Sequence, residues 1–214
     1  MRLPPARATV ALVAVTSLAW AVAASAGLSA QVATLAGFVP ARIADGLPVP
    51  GAVPAVLTPL GATLVHAGLL HLAFNMLILG FCGRFVEASI GPALLVLLYV
   101  AGAYAAAGAQ FAIDPHSVVP MIGASGAASA IIGAYALLYG RRRTAGWGPF
   151  SGLVVHVAWL GAAWVALQGL IALAGGGMPG VPAGGSIAVA AHIGGFLAGV
   201  ALARPLLLFR YRGA

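Results

Sequence analysis

Long apolar runs, separated by short polar or glycine- and proline-rich stretches, cover most of the 214-residue chain. A helix needs about 20 mostly apolar residues to cross a bilayer. Six segments meet this requirement, and each predicts a membrane-spanning helix. They are residues 9–28, 60–80, 91–113, 121–139, 153–174 and 186–209. The pattern predicts an all-α membrane protein in which a six-transmembrane-helix bundle forms a single domain over residues 1–214.

The first apolar segment follows Arg2 and Arg7 and is rich in alanine, as in a cleaved signal peptide. Its apolar run exceeds the roughly 7–15 residues of a signal-peptide core. We therefore expect it to be a retained first helix. The external stretch 30–59 is punctuated by prolines and is too long for a simple turn. We expect it to fold against the bundle.

The composition indicates that most of the chain is surrounded by lipid and not by water. Hydrophobic residues make up 62% of the chain and charged residues only 6%, against roughly 25% in soluble domains. The net charge of +7 comes from arginines that lie between apolar runs. A nucleic-acid-binding protein gathers its basic residues on one solvated face, so nucleic acid is not an expected partner. The single cysteine, Cys82, cannot form an internal disulfide.

The arginines predict the orientation of the bundle in the membrane. Arg42 is the one arginine in the loops on one side, and nine lie at the other set of helix ends. These nine are Arg2, Arg7, Arg84, Arg141, Arg142, Arg143, Arg204, Arg210 and Arg212. Because cytoplasmic loops carry the excess of basic residues, both termini should be cytoplasmic. We expect the protein in the bacterial plasma (inner) membrane, surrounded by the lipid bilayer.

Four polar residues fall inside apolar segments at a similar depth: His71, Asn75, Ser125 and His192. At 1.5 Å per helical residue, His71, Ser125 and His192 lie roughly 16, 7 and 10 Å below the outer ends of their segments. His71 and Asn75 are four residues apart and share one helix face. Polar residues inside membranes are costly and tend to be functional, so the set predicts a site in the outer half of the bilayer.

Small residues repeat every three or four positions on two of these segments. The repeats are Ser125, Ser129 and Gly133 on one, and His192, Gly195 and Gly199 on the other. Small residues at this spacing let helix backbones approach closely. We expect the two faces to pack together and to bring the Ser125 hydroxyl within about 2.6–3.2 Å of an imidazole nitrogen of His192.

A serine with a histidine base needs neither a metal ion nor a cofactor, and none is expected. The alternatives are a structural histidine that bonds across helices, and a metal site. His66 and His71 are five residues apart, about 140° around one helix, and no His-Glu-x-x-His pattern supplies zinc ligands. The chemistry therefore favours a serine protease that works inside the membrane.

Three motifs resemble those of the rhomboid intramembrane proteases. The segment from His66 through His71 to Asn75 is similar to the His-x4-His-x3-Asn motif of that family. The stretch Gly123-Ala124-Ser125-Gly126 matches Gly-x-Ser-Gly, and Ala191-His192 followed by Gly195 and Gly199 matches Ala-His-x-x-Gly-x3-Gly. The resemblance covers most of the chain and implies a rhomboid-like bundle.

The resemblance also implies roles for these residues. Ser125 would be the nucleophile and His192 the base, and His71, Asn75 and the Ser125 N–H would stabilise the oxyanion. Transmembrane proteins would be the substrates, entering sideways past a fifth-helix gate that carries Trp159 and Trp164. Lipid-interface anchoring is the alternative for these two tryptophans.

The chain departs from the family in two places, and two other functions compete with proteolysis. Residues 54–58 lack a Trp-Arg pair common in members, and Ser129 stands where members often have an aromatic under the histidine. Ser129 could hydrogen-bond to His192 or leave space. The rivals are a non-catalytic rhomboid-like protein that binds membrane clients, and a small transporter, which would need a polar pathway across the bilayer.

Overall fold

The computed structural model of the protein describes residues 5–140, 145–174 and 189–212. Within these residues the chain is helical and contains no β-strand. The helices are α1 (Arg7–Ser25), α2 (Ser29–Ala36), α3 (Ala41–Ala44), α4 (Thr58–Leu64), α5 (Leu69–Ile90), α6 (Pro92–Ile113), α7 (Ser125–Tyr139), α8 (Gly152–Ala174) and α9 (Val189–Arg210). Arg2, Arg141–Arg143 and residues 186–188 of the sixth predicted segment lie outside the described residues.

Four of these helices, α1, α5, α6 and α9, are long and apolar enough to cross a membrane. Helix α7 and the first part of α8, Gly152–Leu167, are shorter apolar stretches. The prediction of an all-α integral membrane protein is therefore confirmed for the part of the chain that is described. The third predicted segment, 91–113, agrees almost to the residue with α6, which covers Pro92–Ile113.

The second predicted segment, 60–80, is not one helix. It is divided into α4 and α5, and α5 continues ten residues further, to Ile90. The break contains Val65 in an extended conformation (φ −100°, ψ 131°) and Gly68 with fully extended backbone (φ 179°, ψ 176°). Glycine and β-branched valine are among the weaker helix formers, and hydrophobicity alone does not reveal such a break.

This break changes where the candidate residues lie. His71 is in the first turn of α5, not three turns below the start of a helix. Ser125 is the first residue of α7, although the apolar run begins at Met121. His192 lies in the first described turn of α9. His71 and Ser125 therefore lie at helix starts and not in the middle of long helices.

Helix α7 lies at the centre of the bundle. It packs against α5, α6, α8 and α9, and most of its side chains are buried. Close approach to α9 depends on glycine. A Cβ at Gly195 would overlap the carbonyl oxygen of Gly126, and one at Gly199 would overlap that of Ala130. A Cβ at Gly133 would overlap the carbonyl oxygen of Phe196. The small-residue faces on both helices are therefore in contact.

A buried carboxylate ties the start of α1 to the bundle. The residue before α1 is Ala6, which has no side chain that can cap a helix. Glu87, near the end of α5, accepts hydrogen bonds from the Ala8 N–H (3.1 Å), the Thr9 N–H (2.8 Å) and the Thr9 hydroxyl (2.7 Å). Its negative charge also suits the positive end of the helix dipole. Glu87 therefore caps the N-terminus of α1, although it belongs to another helix.

The stretch between α1 and α4 folds against the loop before α7. Phe38 and Met121 exchange two backbone hydrogen bonds, of 3.0 and 2.8 Å. The Ala41 N–H donates to the Ser117 carbonyl oxygen at 3.0 Å. This agrees with the expectation for residues 30–59, and it anchors the backbone that leads into Ser125.

Candidate active site

Ser125 and His192 lie face to face between α7 and α9. The Ser125 Oγ and the His192 Nε2 are 2.8 Å apart, and both side chains are buried. This distance falls in the range for a nucleophile hydrogen-bonded to its base. With the imidazole neutral and its proton on Nδ1, the serine hydroxyl donates to Nε2. The two residues are 67 positions apart in the chain, and glycine-mediated contact between their helices brings them together.

His71 lies on the other side of Ser125, across Gly123. Gly123 has φ of +111°, in the region that favours glycine. A Cβ there would come within 2.7 Å of His71 Cε1 and Nε2. The same position is 3.7 Å from Ser125 Oγ. Any other residue at 123 would be strained and would displace the imidazole, so glycine lets His71 approach the serine.

Asn75 lies one turn deeper in α5 and is buried. Its Nδ2 donates to the His71 carbonyl oxygen at 2.8 Å. In the described chain this hydrogen bond links Asn75 to the turn that carries His71, and not to Ser125 or His192. A primary amide has two N–H donors, so one remains for another acceptor.

His66 is a residue of the site to which sequence reasoning gave no role. Its Nε2 accepts a hydrogen bond from the Ala124 N–H at 3.3 Å. Its ring meets that of His71 edge to face, with centroids 4.9 Å apart. The Gly123 N–H donates to the Ala62 carbonyl oxygen at 2.8 Å. The N–H groups of Gly123 and Ala124, just before Ser125, therefore donate to acceptors in α4 and in the break that follows it.

Spacing on a helix could not reveal this role for His66. The 140° separation from His71 applies only if both lie on one helix, and His66 lies in the break between α4 and α5. The available signal was its place in the His-x4-His-x3-Asn motif. In the described part of the chain, no group of three or more His, Cys, Asp or Glu side chains could hold a metal ion.

The two tryptophans of α8 lie in different environments. Trp159 is 71% exposed, whereas Trp164 is only 5% exposed. The Trp164 Nε1–H donates to the Ser129 hydroxyl at 2.7 Å, and Ser129 donates to the Ser125 carbonyl oxygen at 2.7 Å. The Trp164 and His192 rings are 6.3 Å apart and close to perpendicular. Ser129 therefore neither leaves an empty space nor bonds to His192.

Helix starts converge on this site, and that affects its electrostatics. Ser125 and His71 lie in the first turns of α7 and α5. The first N–H groups of a helix have no intrahelical acceptor, and the helix dipole makes this end positive. An anion formed beside Ser125 would meet these N–H groups and the His71 ring.

Apolar helices around a buried serine–histidine pair define a class of protein: an integral membrane protein with the side-chain geometry of a serine hydrolase. Comparison with known families agrees. The Rhomboid domain model matches residues 54–209, from just before α4 almost to the end of α9. The chain therefore belongs to the rhomboid family, and the resemblance inferred from its motifs is confirmed.

Among curated proteins, the chain is similar to Rhomboid protease GluP of Bacillus subtilis (strain 168). The two are 39% identical over 84 residues, which is 39% of this chain. The aligned region is 15% of the length of GluP. The chain thus spans a small part of the relative that it matches.

Proposed function

We propose that the protein is an intramembrane serine endopeptidase. It cleaves membrane-anchored proteins within or near their transmembrane segments, with Ser125 and His192 as a catalytic dyad. The observation that carries the proposal is the 2.8 Å contact between Ser125 Oγ and His192 Nε2 in a buried site. Membership of the rhomboid family supports the reaction class.

The proposed reaction follows the chemistry of an activated serine. Ser125 Oγ attacks the scissile carbonyl carbon while its proton passes to His192 Nε2. The tetrahedral intermediate collapses as the C–N bond breaks, and His192 gives the proton to the leaving amine. Water then attacks the acyl-enzyme with His192 again as base, which frees the new carboxyl terminus and restores Ser125.

The dyad works without a carboxylate partner. Glu87 is occupied by the N–H groups at the start of α1. The exposed Asp45 is hydrogen-bonded through Oδ1 to His116 Nδ1 at 2.8 Å, and Asp114 follows α6 in the loop before α7. These are the three acids of the chain. None of these three carboxylates is therefore placed to orient His192.

The oxyanion is stabilised by groups that converge from two helices. The Ser125 N–H at the start of α7 is one donor, and the His71 ring and the Asn75 amide supply others. In other serine proteases, one well-placed donor lowers the activation barrier by about 2.7–4 kcal/mol. The Asn75 hydrogen bond to the His71 carbonyl also holds the turn that carries that ring.

The proposed topology has six spans, formed by α1, α5, α6, α7, α8 and α9, with both termini in the cytoplasm of a bacterium and the helices in its plasma membrane. The arginine distribution supports this orientation, since Arg7, Arg84, Arg204 and Arg210 all lie toward one set of helix ends. Helix α7 has only 15 residues. Its start lies below the outer surface, which leaves room for water to reach the serine.

Substrates enter from the lipid beside α8. This helix is peripheral, packing against α7 and α9, and Trp159 faces outward from it. An intact transmembrane helix shields its peptide bonds by hydrogen bonding. Segments with small or helix-weakening residues near the outer boundary are therefore the preferred substrates.

The deciding test is reconstitution of the protein in liposomes with a model membrane substrate, together with labelling by a fluorophosphonate. Ser125→Ala and His192→Ala should each abolish cleavage, and the double variant should be no worse, because the residues act as a unit. Loss of either member of such a unit costs on the order of 10⁶-fold in a soluble serine protease.

Ser89→Ala is a control, since it removes a helical serine hydroxyl that lies far along α5 from the site. It should cleave normally. Full cleavage by Ser125→Ala would refute the dyad. A wild-type protein that neither labels nor cleaves, yet retains membrane proteins on purification, would support the client-binding alternative.

A further inference from the structure

Two glycines follow His192 along α9, on the face of the helix that meets α7. Gly195, one turn further along α9, presents no side chain beside the imidazole, because its missing Cβ is what allows contact with Gly126. The space that a side chain at Gly199 would take is likewise occupied by the backbone of Ala130. The glycines that bring the base close to Ser125 therefore place no side chain of their own beside the imidazole. An aromatic side chain from another helix, α8, reaches the ring.

Trp164 of α8 occupies that position. Its indole meets the His192 ring with centroids 6.3 Å apart and an interplanar angle of 73°. Trp164 and His192 are both buried. Perpendicular aromatic rings at this separation attract one another. The indole restricts rotation of the imidazole because a turn of the His192 ring would bring it against this bulky neighbour.

The indole is itself held by a directed pair of hydrogen bonds. An indole N–H can only donate, and a serine hydroxyl has one proton to give. Trp164 Nε1–H donates to Ser129 Oγ at 2.7 Å, so the Ser129 proton goes to the Ser125 carbonyl oxygen, also at 2.7 Å. Ser129 is fully buried. The ring beside the base is thus tied to the residue that carries the nucleophile.

The backbone of α8 is positioned to make this contact. Gly161 lies three residues before Trp164, on the same face of the helix. A Cβ at Gly161 would come within about 3.0–3.1 Å of the Phe196 ring on α9. A larger residue at 161 would hold α8 away from α9 and withdraw the indole from His192.

We propose that Trp164 and Ser129 form a positioning pair that holds His192 with Nε2 toward Ser125. The inference rests on the proposed dyad and adds a specific assignment. An aromatic side chain from α8, fixed through the serine four residues after the nucleophile, orients the base. Neither residue touches the reacting bond, so both act through His192.

The test compares kcat and KM for cleavage in liposomes by Trp164→Phe, Ser129→Ala and the double variant. Trp164→Phe keeps an aromatic ring but removes the N–H, and Ser129→Ala removes its acceptor. Each should lower kcat by about 10- to 100-fold, because small misplacements of a catalytic group cost up to about 10²-fold. KM should change by less than about twofold, since substrate contacts remain. The double variant should be no worse than the poorer single variant.

Matched controls separate positioning from a general effect on the helices. Trp147→Phe makes the same change at an exposed position in the connection before α8, and Ser89→Ala removes a helical hydroxyl remote from the site. Both should keep wild-type kcat. The rate of fluorophosphonate labelling at Ser125 should fall in parallel with kcat in the Trp164 and Ser129 variants, which loss of substrate entry would not produce.

Moving the aromatic ring from α8 to α7 gives a second measurement. Trp164→Leu should reduce kcat at least as far as Trp164→Phe, and adding Ser129→Phe should restore part of it by placing a ring beside His192 from α7. Unchanged kcat in folded Trp164→Phe and Ser129→Ala would overturn the inference. If Trp164→Phe fails to fold, Ser129→Ala decides alone. Activity in Ser125→Ala, run in parallel, would instead defeat the dyad itself.

Discussion

His66 illustrates how a residue outside the proposed dyad can fix the backbone that leads into Ser125. Its Nε2 accepts from the Ala124 N–H, so its proton must be on Nδ1. The Gly123 N–H is held by the Ala62 carbonyl oxygen. These hydrogen bonds define the path of the chain into Ser125, and with it the direction of the first N–H of α7.

Replacing His66 by phenylalanine should lower both stability and turnover. The ring is kept, but the buried Ala124 N–H loses its acceptor, which costs about 1–3 kcal/mol. The measurements are the unfolding free energy in detergent and cleavage in liposomes. His66→Gln, which offers a carbonyl oxygen, should recover part of the loss. His116→Phe, in the exposed loop, is the control. Wild-type stability and turnover in His66→Phe would mean that this hydrogen bond is dispensable.

At the scale of secondary-structure elements, the site depends on the contact between α7 and α9. The backbones touch at Gly195 against Gly126 and at Gly199 against Ala130. No side chain can be added there without moving a helix, and interiors are too closely packed to absorb the change. The spacing of these glycines thus sets the distance between the dyad residues.

Gly195→Ala should reduce activity although it removes no reacting group. Overpacking of this kind costs about 1–3 kcal/mol, and a shift of about 1 Å between nucleophile and base costs about 10²-fold in rate. Thermal stability and kcat are measured on the same preparations. Gly80→Ala and Gly108→Ala are controls, because a Cβ at either helical glycine meets nothing within 4 Å. Equal behaviour of Gly195→Ala and these controls would contradict the packing.

Most of what the sequence could predict depended on local pattern. The all-α membrane character followed from apolar length, and the family from three spaced motifs around His71, Ser125 and His192. The break at 65–68 could not be predicted, because its cost is repaid by remote contacts such as His66 with Ala124. The place of Trp164 was equally hidden, since nothing in a single helix indicates which of two tryptophans faces the bundle.

For the whole molecule, the proposed orientation predicts which loops are accessible from each side. His116 lies in the external loop before α7 and Trp147 in the connection before α8, and both are well exposed. After replacement of the buried Cys82 by alanine, His116→Cys in bacterial spheroplasts should react with a membrane-impermeant maleimide. Trp147→Cys should react only after permeabilisation. The reverse pattern would invert the topology and place the site on the cytoplasmic side.

The contact between Glu87 and the start of α1 has a consequence for the order of assembly. Helix α1 leaves the ribosome about 80 residues before its cap, since Glu87 is 78 positions beyond Thr9. Until α5 has been inserted, the Ala8 and Thr9 N–H groups must be satisfied by water or lipid headgroups. Helix α1 is therefore secured only after α5 has been made, and its final depth in the bilayer is decided by a residue synthesised several seconds later, at about 5–20 residues per second.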